Sequence, residues 1–138
     1  MCKQFLSLFK KKKFFKIIIS NFNNRLYINQ CLDSVLNQTF KDYVCIIIDD
    51  MSTDGSDEIA MSYAKHYPDR FVFVKMKNKG FAGAARNIGI DYPIRAEYLK
   101  FIDSDDWLYD NNVLKKLHDK LVDSGFPKCM FHGSYCNK

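Results

Sequence analysis

Two groups of carboxylates are the residues of this 138-residue chain best suited to chemistry. Asp49-Asp50 follows the apolar run at residues 43–48 (YVCIII), and Asp103-Ser104-Asp105-Asp106 follows the run at residues 98–102 (YLKFI). Alone, either group reads as turn and helix-cap chemistry, the more so because Asp49-Asp50 leads into Ser52-Thr53-Asp54-Gly55-Ser56. Two such groups brought to one sheet edge repel each other unless a positive charge lies between them, and chance placement of that kind costs stability. Carboxylate oxygens without thiols suit a hard divalent cation, Mg²⁺ or Mn²⁺, and Mg²⁺ is commonly shared between carboxylates and substrate phosphates. A phosphorylated substrate is the corresponding expectation.

Whether the two groups meet depends on the elements that carry them. Short apolar runs alternate with amphipathic stretches, with no internal repeat and no Pro/Gly/Ser linker. Residues 14–19 (FFKIII), 43–48, 71–75 (FVFVK) and 98–102 read as strands. Helical spacing runs over residues 26–36, with Leu26, Ile28, Cys31, Leu32, Val35 and Leu36 near one face. It returns after Ser56 through Ile59, Ala60, Tyr63, Ala64 and Tyr67, over residues 80–90, and through Val113, Leu114, Leu117 and Leu121. Ser124-Gly125 before Pro127 is a stop signal, and residues 128–135 read as the start of a further strand. The small residues Ala82, Gly83, Ala84 and Ala85 suit a helix that approaches other backbone or a ligand closely. Strands alternating with helices predict an α/β fold with a mostly parallel sheet covered on both faces. In such sheets ligands gather beyond the carboxyl ends of the strands, where both acidic groups stand.

Composition bounds the remaining possibilities. A chain that is 47% apolar and 15% aromatic, with six Gly and three Pro, is one folding domain rather than a disordered or low-complexity segment. The net charge of +5 is local. Six of the 21 basic residues lie in residues 1–16, which contain no acid, leaving 15 basic against 16 acidic residues beyond them. Nucleic acid is therefore not an expected partner of the body. Residues 1–13 read as a flexible basic leader and residues 14–138 as the domain. The leader lacks a signal-peptide cleavage site, and no run approaches the ~18 apolar residues of a membrane span. Phe5, Leu6, Leu8 and Phe9 beside four lysines allow weak contact with an anionic membrane surface, although a solubilising leader is the preferred reading. Five scattered cysteines without a C-x-x-C pair suit reduced thiols in the cytoplasm, with Cys45 a small buried residue. Cys129, His132 and Cys136 match no zinc pattern.

Competing motifs fail on what each requires. Ser20-Asn21-Phe22-Asn23-Asn24 stands where a dinucleotide fold needs glycines, and no P-loop is present. An EF-hand loop aligned on Gly55 would place Met61 where the bidentate Glu belongs. A haloacid-dehalogenase reading of Asp103-x-Asp105 leaves too little chain after it. A receiver domain needs its acidic residues after the first and third strands, not the second and fourth.

Five ordered blocks resemble an inverting family 2 glycosyltransferase of the GT-A fold, a Rossmann-like three-layer α/β/α sandwich. IIISNFNN is similar to the opening strand and loop, CLDSVLNQTFKDY to the following helix, and IIIDDMSTDGS to the acidic loop. NKGFAGAARNIGI resembles the N-x-G-x-x-x-A-R-N-x-G block, and FIDSDDW the D-x-D segment. Ser20 stands at a usual Pro and Phe22 at a usual Tyr.

The resemblance implies that Ser20 and Phe22 border a nucleobase, that Asp50 accepts its N–H with Asp49 beside it, and that Arg86 lies near the nucleotide. Asp103 would reach the ribose or a metal, and Asp105 would bind the metal directly. It implies a nucleotide-diphosphate sugar as donor, a UDP-sugar first, a glycan acceptor, and Mn²⁺ or Mg²⁺ as cofactor. It also implies polysaccharide biosynthesis, and the reduced thiols and basic leader set the expected place as the cytoplasm, at the inner membrane face. The family's catalytic base lies in a later segment. Among Asp110, Asp119 and Asp123, the carboxylates after Asp106, none is a convincing base, so the chain reads as a donor-binding half truncated after the D-x-D segment. A catalytically inactive nucleotide-binding or interaction module is the alternative.

Overall fold

The computed structural model describes residues 11–128. Their elements are β1 (Lys13–Asn21), α1 (Ile28–Leu36), β2 (Tyr43–Asp49), α2 (Ser56–His66), β3 (Phe71–Lys75), α3 (Phe81–Asp91), β4 (Ala96–Asp103) and α4 (Val113–Asp123). The four strands form one parallel sheet in the order β3-β2-β1-β4. The first three strands step outward in one direction, after which the chain crosses back to lay β4 on the other side of β1. That reversal opens a crevice beyond the ends of β1 and β4.

The layers follow from the pleat, which sends successive side chains to opposite faces. Ile17 and Ile19 of β1, with Cys45 and Ile47 of β2, meet Ile28, Leu32 and Val35 of α1, Ala60 of α2, and Leu114, Leu117 and Leu121 of α4. On the other face Val44, Ile46 and Ile48 pack against Ala85 of α3. Strands buried on both faces need near-continuous apolar sequence, which YVCIII and, apart from Lys16, FFKIII supply. Gly89 lets α3 lie directly on β1, because a Cβ there would come within 2.4 Å of Ile18 Cγ2. Lys16, buried in the sheet, donates from Nζ to Ile90 O at 2.9 Å and Tyr92 O at 2.7 Å, binding carbonyls at the carboxyl end of α3. The strand β4 is at the sheet edge and leaves Leu99 and Phe101 exposed.

Buried Gln38, from the QTF segment, ties the end of α1 to the start of α4. Its Nε2 donates to Ser34 O at 3.0 Å and Asp110 O at 2.6 Å, and its Oε1 accepts from Leu114 N at 3.0 Å. The last bond satisfies a donor that a helix start leaves without an intrahelical partner. The stop after α4 also forms as the sequence predicts: Gly125 has φ +75°, its N–H bonds Val122 O, and Phe126 N–H bonds Leu121 O. Cys31 and Cys45 are buried free thiols, and burial pushes both up in pKa. Cys31 reaches about 12, with Asp106, Asp105 and Asp103 adding to the effect.

Three sequence expectations shift. Leu26 stands in the turn before α1 and is 87% exposed, because Tyr27 and Ile28 both bond back to Asn24 O and the helix opens only at Ile28. Tyr67 ends α2 rather than extending it, with ψ +61° and its ring beside Phe71. Lys13, counted with the leader, opens β1, and Lys12 pairs with Glu97 at 2.6 Å. Residues 1–10 of the leader, most of the expected strand at residues 128–135, and Cys129, His132 and Cys136 lie outside the described residues. Among the described residues no helix is long and apolar enough to cross a membrane.

Candidate functional site

The carboxyl ends of β1, β2 and β4 build the site. Ser20 and Asp103 are register partners across β1 and β4, and Ser20 Oγ donates to Asp103 Oδ1 at 3.0 Å. Arg86, one turn into α3, donates from Nη2 to the same oxygen at 2.9 Å. Buried Ser104 fixes the next turn, its N–H on Ser20 O at 3.1 Å and its Oγ accepting from Asn24 Nδ2 at 2.7 Å.

Asn21 and Asp49 are partners across β1 and β2, and their side chains face inward. Asp49 accepts from Asn21 Nδ2 at 2.8 Å, from Ser52 N at 3.0 Å and from Ser52 Oγ at 2.6 Å. Asn21 Nδ2 also reaches Ser56 Oγ at 3.0 Å. Asn23 and Asp54 stitch the two loops above this network: Asn23 Oδ1 accepts from Thr53 N, and Asp54 Oδ2 from Arg25 N. Asp54 Oδ1 takes the N–H of Ser56 at the start of α2.

Asp50, the next residue, turns the other way. Its Oδ1 accepts from Gly80 N at 2.8 Å, and its Oδ2 accepts from Phe81 N at 2.7 Å and Lys79 Nζ at 2.6 Å. Burial pushes this carboxyl up, but the bonds from Lys79, Gly80 and Phe81 outweigh it and hold it below the usual aspartate value. Both ends of the clamp require left-handed backbone at a non-glycine residue, φ +62° at Met51 and +63° at Phe81. Such positions cost about 1–3 kcal/mol each and persist where surrounding contacts dictate them.

Asp50 and the D-x-D segment share one cavity of about 210 Å³. Ser20, Phe22, Asp50, Asp103 and Asp105 all line it, so five of the sequence-derived candidates meet in one space. Arg86 borders it through Asp103, while Asp49 is fully buried behind it and holds the loop that presents Asp50. Ala82 and Ala85 form the α3 wall, in keeping with the close approach their size suggested. Sequence reasoning gave no role to Asn21, Asn24 and Lys79, and counted Asp106 in the acidic group without naming it as a ligand. An asparagine closing a strand, another in the loop after it and one lysine among 17 carry no signal that separates them from solvated residues.

Asp103, Asp105 and Asp106 bring ligand oxygens within 4.8 Å of one another. Burial raises the Asp106 carboxyl, and the charges of Asp105 and Asp103 raise it further, the mark of an acidic group short of countercharge. An all-oxygen set of this kind fits a hard divalent cation. Beyond it, Asp110 is held by Lys116 at 2.7 Å and Asp119 by Lys115 at 2.9 Å.

The glycosyl transferase family 2 model matches residues 16–127, most of the chain and all of this site. The chain belongs to glycosyl transferase family 2. EpsH of Bacillus subtilis (strain 168) is 42% identical over 107 residues, which cover 75% of this chain and 30% of that protein. The minor teichoic acid biosynthesis protein GgaA of the same organism is 38% identical over 114 residues, covering 80% of this chain and 25% of its own length. The crystal structure of S. aureus TarS 1-349 in complex with UDP-GlcNAc superposes with a TM-score of 0.72 at 25% identity, over 80% of this chain and 31% of that one. The fold is that of GT-A glycosyltransferases, and this family 2 chain spans about a third or less of the length of these three relatives.

Proposed function

We propose that the chain is the donor-binding part of an inverting glycosyltransferase that takes a sugar from a nucleotide diphosphate, a UDP-sugar first, to a glycan acceptor in polysaccharide biosynthesis. The observation that carries this reading is the single cavity joining Asp50 to Asp103 and Asp105. A nucleoside diphosphate needs a base site and a phosphate site within one crevice, and the two acidic groups stand at the two ends of that need. The UDP-GlcNAc bound by TarS supports the choice of donor.

In this reading Phe22 offers a stacking face to the base, Ser20 borders it, and the ionised Asp50 accepts a ring N–H. Asp49 holds the loop behind Asp50. Asp103 accepts from the ribose or joins Asp105 in holding Mn²⁺ or Mg²⁺, with Arg86 balancing its charge. When bound, the ion offsets the negative charge that grows on the departing diphosphate. Inversion in one displacement also needs a carboxylate to take the acceptor hydroxyl's proton. Lys116 and Lys115 hold Asp110 and Asp119, which makes these two poorly suited to that task, and a module that binds nucleotide without turnover is the second reading. Residues 1–12 act as a basic leader making at most weak membrane-surface contact, residues 13–138, from the start of β1, as the donor domain, and the protein works in the cytoplasm, at the inner membrane face.

Calorimetry with UDP tests the reading. Binding is expected to require Mn²⁺, and Asp105→Ala to abolish the metal-dependent part. Equal affinity with and without Mn²⁺ in both proteins would sink it. Hydrolysis of a UDP-sugar separates the two readings, since a non-catalytic module binds without turnover.

A further inference from the structure

We propose that Lys79 is a built-in occupant of the base pocket, and that a nucleotide binds by exchanging with its ammonium group. The inference rests on the reading of Phe22 and Asp50 as base-binding residues, and adds a residue to which no motif assigned a role.

The Lys79 Nζ lies 3.2 Å above the centroid of the Phe22 ring and 2.6 Å from Asp50 Oδ2. The Phe81 ring is 5.0 Å away on another side. A base stacked on Phe22 must lie in the layer roughly 3.5 Å above that ring. Its N–H must also come within about 3 Å of the carboxylate. The ammonium meets both conditions at once, so it and the base claim the same volume.

The lysine is there for a physical reason. Asp50 has only 3% of its side chain exposed and takes two backbone N–H groups, yet neither neutralises its charge. Lys79 supplies a cation, and the left-handed backbone at Phe81 sets both the second N–H and the turn from which Lys79 reaches Asp50 and the Phe22 ring. An arriving ring N–H replaces one donor on Oδ2 with another, but the attraction between the cation and the Phe22 ring is lost with the ion pair. The exchange therefore weakens binding of the base alone and leaves retention of a nucleotide to its diphosphate end. It also keeps a buried carboxylate paired whenever the pocket is empty.

Proton and carbon NMR on the full chain in EDTA tests the exchange, with uridine as a probe that has no phosphate. In the free protein the Lys79 ε-methylene signal should lie upfield of the other lysines, shielded by the Phe22 ring, and saturating uridine should return it to the ordinary lysine position. Lys79→Ala should bind uridine about tenfold more tightly, and Lys79→Arg, which keeps a cation, should not tighten it. If Phe22 signals respond to uridine while those of Lys79 stay shielded, or if Lys79→Ala binds uridine no better, the exchange is overturned and the base pocket stands. No response at Phe22 in any of the three proteins overturns the base-pocket reading, and the exchange with it.

Discussion

Asp49 and Asp50 are adjacent in the chain and face opposite surroundings: Asp49 Oδ1 accepts the Nδ2 of Asn21 at 2.8 Å inside the fold, and Asp50 Oδ2 accepts the Nζ of Lys79 at 2.6 Å at the cavity. Strand alternation makes this division unavoidable. One carboxylate at the end of β2 is directed into the interior and the next into the crevice.

The two aspartates should therefore fail differently. Asp49→Ala strands the buried N–H of Ser52, removes the carboxylate that Ser52 Oγ and Asn21 Nδ2 also donate to, and is expected to lower stability by about 2–3 kcal/mol in urea unfolding. Asp50→Ala should reduce nucleotide affinity more than it reduces stability, because its donors lie nearer solvent. Equal stability losses with equal nucleotide affinity would contradict the division.

Asp50 also has a pH signature. Its folded-state pKa is lowered, so its contribution to stability is complete above the unfolded aspartate value of about 3.9 and is lost as pH falls through the lower folded value. The amide signals of Gly80 and Phe81, its two backbone donors, should hold still from pH 7 to pH 5 and move only below the ordinary aspartate range. Movement centred above pH 5 would mean that burial outweighs the hydrogen bonds.

Gly89→Ala reverses a familiar sign. Alanine in a helix interior normally gains about 1 kcal/mol over glycine. Here the added methyl would meet the fully buried Ile18 side chain at 2.4 Å, and the expected result is a loss of about 1–3 kcal/mol in thermal or urea unfolding. A gain would show that α3 can lift from β1 at no cost.

Gln38→Leu tests the tie between the end of α1 and the start of α4. The substitution keeps bulk but leaves Leu114 N–H and Asp110 O without their partner, and should cost about 2 kcal/mol. Hydrogen exchange should accelerate at Leu114 before it does in β1, since the bond lost is the one that anchors the first turn of α4.

Much of this architecture is legible in the residues themselves. FFKIII and YVCIII are apolar on both faces because both faces are covered, so their parallel-strand character shows locally, and the acids that follow YVCIII and YLKFI fall at one edge of the sheet whatever the strand order. Leu26 misleads because it keeps helical spacing while Asn24 O has already captured the turn, a backbone bond that leaves no mark on apolar periodicity. The order β3-β2-β1-β4, which sets Ser20 against Asp103, arises from a chain reversal that no local segment encodes. The same holds for the contacts of Lys79, which joins Phe22 and Asp50 from 57 and 29 residues away. The sequence by itself determined which elements form and which acids reach their ends, since those depend on near neighbours and periodicity. Only the tertiary structure decided which aspartate meets the cavity, which cation answers it, and what stands over the aromatic ring, because long-range packing places those side chains.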